Sequence, residues 1–535
     1  MRRTTTVARA SLLAVLLSHP VASQDHEHPA PDGVGTVHFA TSCRPAAAPR
    51  FDRAVALLHS FEFRAAIDGF EGVLAADSGC AMAYWGIALS RWSNPMSAGN
   101  RPAAALAQGR MASEGATRLA PGATARERGY IAAVARLYAD YEHVDQRTRV
   151  AEYEQAMAAL AGQYPADTEA QIFHAIALVA VAPPTDKSYA NQRRAGAILE
   201  RLWAAQPNHP GLAHYIIHSY DVPALAPMAA EAARRYATIA PAAAHALHMP
   251  SHTFTRLGQW RESVDANRRS AQAALRTASF AEVLHAHDYL EYAYLQLRRD
   301  SAARAVVDGL PAIAARFDPA AVTGAAPGSA GVFALAAIPA RYALERRAWP
   351  EAASLVPRTT AYPYVDAMTW FARGLGAAHL ARLPEARAAV DSLAAIHARL
   401  LAGGEAYWAE QVAIERLGAQ AWLDLAEGRR ADALAHMGEA AAREDATEKN
   451  AVTPGPLAPA RELLGDLLME LGRPAGALAE YRRTLAKEPR RFRSLEGARR
   501  AASAAGDAAA ATRYAAELAA LVGTPPDSPP AHRHR

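Results

Sequence analysis

An all-α fold, an α-solenoid of stacked antiparallel helix pairs, is what the sequence predicts, on three observations. Segments of about 12–18 residues carry apolar side chains at i, i+3, i+4 and i+7, separated by short breaks at Gly, Pro, Asp or Asn. No run of alternating apolar and polar residues long enough for a strand interrupts them. Residue types also recur at a fixed interval: Gly506 and Ala511 follow Gly472 and Ala477 by 34 residues each. A period of this length marks repeats that bury their apolar faces on one another.

Taken in order, the chain opens on Arg2-Arg3, an apolar stretch from Val7 to Leu17 and the small residues Val21-Ala22-Ser23. That succession predicts a secretory signal peptide over 1–23, and hence an exported protein, periplasmic or extracellular. Its removal takes away Arg2, Arg3 and Arg9, so the formal charge falls from +4 to +1. A near-neutral chain is a poor partner for nucleic acid, which demands concentrated basic surface. No apolar run reaches the roughly 20 residues of a membrane span. Residues 24–48 are rich in Pro, Ala and His and read as a flexible leader. Cys43 and Cys80 are the only cysteines; in an exported chain an even pair reads as a disulfide, with two buried thiols as the alternative.

Helical arrays are expected over 49–322 and 323–522. In the first, Ala66, Phe70 and Val73 sit at second-helix positions, and CAMAYWGIALSRW opens the next unit around Gly86. PPTDKSYA, 183–190, lengthens one loop between helices. In the second, Ala386 and Ala433 mark further units. The stretch ARELLGDLLMELGRPAGALAEYRRTLAKEP then places Leu464-Gly465, Leu468, Gly472, Ala477, Tyr481 and Pro489 at the spacings of a tetratricopeptide (TPR) repeat. On these residues the chain resembles the TPR superfamily, in particular exported bacterial TPR proteins. The resemblance implies a right-handed superhelix whose concave groove takes a protein, a peptide or a small polar ligand. Residues 523–535 are Pro-rich and charged, and read as a disordered tail.

Eight of the twenty histidines fall between His209 and His287. His214 and His218 are four apart, and so are His248 and His252, the second pair 34 residues after the first; i and i+4 share a helix face. In TPR register these are positions 5 and 9 of successive first helices, with His285 at position 2, Asp288 at 5 and Tyr292 at 9 of the next. The resemblance places such positions on the groove. His214, His218, His248, His252, His285 and Asp288 are therefore the candidate ligands of a divalent metal, Zn or Cu by imidazole chemistry. Tyr215, Tyr220, Asp221, Arg256 and Tyr292 are candidate groove residues. Pro250 lies between His248 and His252, so either a helix is broken there or a new helix begins at Pro250.

Three functions fit: a scaffold that binds metal or a polar ligand in this groove, a metal-dependent hydrolase or oxidoreductase using the same groove, and a protein-interaction module whose histidines only pack. No HExxH, Gly-rich phosphate loop or G-x-S-x-G elbow is present to name a reaction.

Overall fold

The computed structural model describes residues 33–96 and 101–523. The expected signal peptide, the first part of the leader and nearly all of the tail lie outside the described residues. Every long regular element among those described is an α-helix, from Ala48–His59 to Ala508–Val522, with no strand. Helices adjacent in sequence pack as hairpins: Trp260–Arg276 on Phe280–Gln296, Pro363–His379 on Leu383–Ala402, Ala406–Ala426 on Arg430–Asp445.

Local chemistry starts and stops these helices. Thr124 and Glu127 form a reciprocal capping box, and Asp145, Asp167 and Asp507 accept a backbone N–H of the first turn. Proline begins Pro210–Ser219, Pro363–His379 and Pro474–Lys487, where its missing N–H costs nothing. The hairpins share one kind of turn. A residue with positive φ follows the first helix at Gly258, Arg298, Ala381, Gly428, Gly472 and Gly506. One residue later the chain donates back to a carbonyl five residues upstream, as in Gln259 N–H to Phe254 O, Arg299 to Tyr294, Arg473 to Leu468 and Asp507 to Ala502. This is a Schellman closure, and at Gly472 and Gly506 it recurs after the 34 residues read from the sequence. Small residues admit large ones between helices: a Cβ at Gly465 or Gly497 would lie 2.8 or 2.4 Å from the Tyr481 ring.

Two expectations are revised. Residues 33–48 are not a free leader: Val34, Val37 and Phe39 are buried, and Phe39 packs on Phe51, Trp85 and Tyr130. Thr36 N–H bonds to Asn208 O, and the Cys43–Cys80 disulfide, Cα–Cα 4.8 Å, fastens this segment to the second hairpin. The 322/323 boundary is crossed by packing of Phe280–Gln296 on Gly328–Glu345, and the described residues cluster as one unit.

Contacts also reach well beyond nearest neighbours. Residues 447–453 form a strap against the histidine-bearing helices: Lys187 Nζ donates to Thr447 O and Glu448, Lys449 Nζ lies 3.4 Å from Asp221, and Tyr289 Oη donates to Ala451 O or Thr453 O. Further along, Trp260 Nε1 donates to Arg490 O, and Gly258 faces Pro489 so closely that a Cβ would sit 2.3 Å from its carbonyl oxygen.

Candidate metal centre

Four helices deliver six imidazoles to one buried place. Pro210–Ser219 carries His214 and His218, Ala244–His248 carries His245 and His248, Pro250–Arg256 carries His252, and Phe280–Gln296 carries His285. The second alternative for Pro250 holds: it opens a new helix, and His248 ends the turn before it. Met249 between them stays in helical φ,ψ, so His245, His248 and His252 keep nearly one face.

Hydrogen bonds fix the proton on several of these rings. Asn267 Nδ2 donates to Ser263 O at 2.7 Å, which turns its Oδ1 toward His248. His248 Nδ1–H donates to that oxygen at 2.7 Å, leaving Nε2 with a bare lone pair. His252 Nδ1–H donates to the Asp221 carboxylate at 3.0 Å, so its Nε2 is bare too. These two acceptors face each other at 3.0 Å. His214 repeats the pattern, its Nδ1–H donating to His59 O at 2.7 Å while Nε2 has no partner. His218 Nε2, both nitrogens of His245 and His285 Nδ1 are also buried without a hydrogen bond.

Protonation would relieve such crowding, but burial opposes it. Burial, and then the neighbouring imidazoles, hold His214, His245 and His248 well below the ordinary histidine value; burial takes His218 and His285 down to about 3. His252 is lowered by burial despite its carboxylate partner. Burial alone would raise Asp221, yet Lys449 and Arg256 hold it well below the carboxylate range, and it remains an anion. Arg256 Nε and Nη2 donate to its Oδ1 and backbone oxygen at 2.9 and 2.7 Å.

The six rings fall into two triads, His214–His218–His245 and His248–His252–His285, each with three nitrogens within 4.8 Å of one another. Asp288 joins neither. It pairs with Arg341, whose buried guanidinium outcompetes any role for that carboxylate at the imidazoles. Tyr292 is likewise drawn away, its hydroxyl bonding Glu488 and accepting from Arg491. Tyr220 fills the space over Gly196, where a Cβ would meet its ring at 2.1 Å. Tyr215 contacts the His214 ring and bonds His59. His245, absent from the predicted ligand set, completes the first triad; it stands three residues before His248, in the position His285 occupies one repeat later.

A third group was also outside the prediction. Glu169 accepts from His59 Nε2 at 2.8 Å and His209 Nε2 at 2.9 Å, and all three are buried. Both carboxylate oxygens are satisfied there, which suits a structural clamp.

No protein-family model matches the chain, and no curated protein does. Among solved structures it is similar to a human IFIT1 dimer with m7Gppp-AAAA, at 11% identity and a TM-score of 0.38, over 88% of this chain and 95% of that one. It is similar to the APC/C hetero-tetramer Cut9-Hcn1 at 12% identity and 0.34, over 90% and 88%. With yeast Tom70 the figures are 10% and 0.33, over 86% and 96%. Among the described residues no helix is long and apolar enough to cross a membrane.

Proposed function

We propose that this protein binds a transition metal through the histidine triads, on a helical-hairpin scaffold. One observation carries the reading: the Nε2 lone pairs of His248 and His252 oppose each other at 3.0 Å with their other nitrogens already committed as donors. Two bare acceptors at that distance repel unless a cation lies between them. A proton is disfavoured by burial, whereas a metal is suited. Two nitrogens ~2.0–2.1 Å from one tetrahedral ion stand about 3.3–3.4 Å apart, so a small opening of the 3.0 Å pair would seat the metal. Asn267 and Asp221 then act as the outer partners that orient a ligating histidine and raise its basicity. Imidazole ligation suits Zn or Cu. The disulfide is at home in an oxidising compartment, which agrees with export as the sequence predicts it.

A polar-ligand clamp is the weaker reading, because a clamp needs donors and acceptors facing outward, and these nitrogens face one another. Tag-free protein, stripped and re-equilibrated with Zn or Cu at neutral pH, should retain metal after desalting and melt higher than the stripped form. At a hundredfold excess over Kd the gain is about 2.7 kcal/mol. His252→Gln should lose most of it. No retained ion, with equal melting in metal and chelator, would sink the proposal.

A further inference from the structure

The two triads are not independent pockets. His218 of one lies 6.1 Å from His252 of the other, and His245 lies 5.9 Å from His248, between ring centroids. Ions held by the two sets would be close neighbours, as in sites where two metals share one small bridging group. The donor set is unusual for a pair of dications. Neither triad contains a carboxylate: Asp221, bonded to His252, is already committed to Arg256 and Lys449, and Glu282, whose Oε1 lies 3.8 Å from His245 Nδ1, accepts from Ala326 N–H. Four added positive charges would meet only one nearby carboxylate not already paired with a cation, Glu282, in a buried site that already holds a guanidinium and an ammonium. Two monovalent ions halve that cost, and copper(I) is the monovalent ion that imidazole binds well.

Softness points the same way. His218, His245, His252 and His285 line a narrow cleft together with Met96 and Met249. Thioether sulfur is a soft donor that selects copper(I) over harder ions. The same cleft borders both triads, at His218 and His245 of one and at His252 and His285 of the other.

We infer that the two triads hold a pair of copper(I) ions as one dinuclear centre, and that dioxygen entering from the cleft binds between them. This rests on the metal-binding reading above. Electrons balance without another reactant: each copper(I) gives up one electron and becomes copper(II), and dioxygen takes both and becomes a bridging peroxide. The O–O bond survives, no proton moves, and release of dioxygen restores the starting pair. One triad with one copper cannot supply both electrons, which is why the second is required.

The test uses full-length, tag-free protein loaded with copper(I) without oxygen and in the presence of a competing copper(I) chelator, then exposed to air. The expected result is two coppers per chain, uptake of one dioxygen per pair, and an oxygenated form silent in electron paramagnetic resonance because the two copper(II) spins couple. His245→Gln should keep one copper and lose dioxygen uptake. The wild type decides the matter if that variant fails to fold. One copper per chain, or two that take up no dioxygen, would overturn the inference and leave metal binding standing. Binding of neither copper nor zinc would overturn both.

Discussion

Lowering the pH from 7 to 5 should destabilise the metal-free protein through its own histidines. Burial holds His218 and His285 down to about 3 in the folded chain, while an unfolded histidine titrates near 6.5. Between those values the unfolded state binds protons that the folded state refuses, so stability falls as pH falls. The slope approaches about 1.4 kcal/mol per pH unit for each such group. From pH 7 to 5 that integrates to about 2 kcal/mol per histidine and about 4 for the pair, against a total of ~5–15 for a typical protein. His214, His245 and His248 are shifted the same way and add to it. Glu62 and Glu282, raised by burial to about 8 and about 7, act in the opposite sense. The readout is therefore a comparison: urea unfolding in chelator at both pH values, for wild type and for His218→Gln with His285→Gln. The double variant should lose about 4 kcal/mol less on acidification. An equal loss in both proteins would refute the claim that these imidazoles are buried and neutral.

Three further outcomes follow from particular contacts. Asp221→Asn removes the carboxylate that orients His252, and chelator competition should show metal affinity falling about 10- to 100-fold; unchanged affinity would count against the orienting role. Peptide mass mapping without reductant should recover Cys43 linked to Cys80, and replacing both with Ser should cost about 4 kcal/mol in the chain-entropy treatment of this loop. Gly258→Ala places a Cβ at a φ of +66° and against Pro489 O, so chemical denaturation should show a loss of at least ~1–3 kcal/mol. A neutral result there would mean that residues 489–490 do not dock on this turn.

The sequence carried what is local and periodic. Gly472 and Gly506 announced the helical hairpins because a left-handed turn residue must recur once per repeat. His214, His218, His248 and His252 announced one face because i,i+4 spacing does so on any helix. His245 was legible by the same register, three residues ahead of His248, but its turn stops at Pro250 and hides the continuity. What the sequence did not carry is competition from distant residues. Asp288 had the right helix position, and Arg341, 53 residues onward, claims it. Tyr292 is claimed by Glu488 and Arg491, nearly 200 residues away. Lys449 and the strap around it reach Asp221 across 228 residues of chain, a contact that no repeat period contains. Asn267, which sets the His248 tautomer, sits on the second helix of its hairpin, outside the groove positions that the TPR resemblance supplies.

The central claim is that His248 Nε2 and His252 Nε2 are two ligands of one ion. Anomalous diffraction at the copper or zinc edge, from crystals grown with that metal, tests it most directly. A peak ~2.0–2.1 Å from both nitrogens is the predicted result. A map with no peak between them, or with the metal held only at other sites, would contradict it.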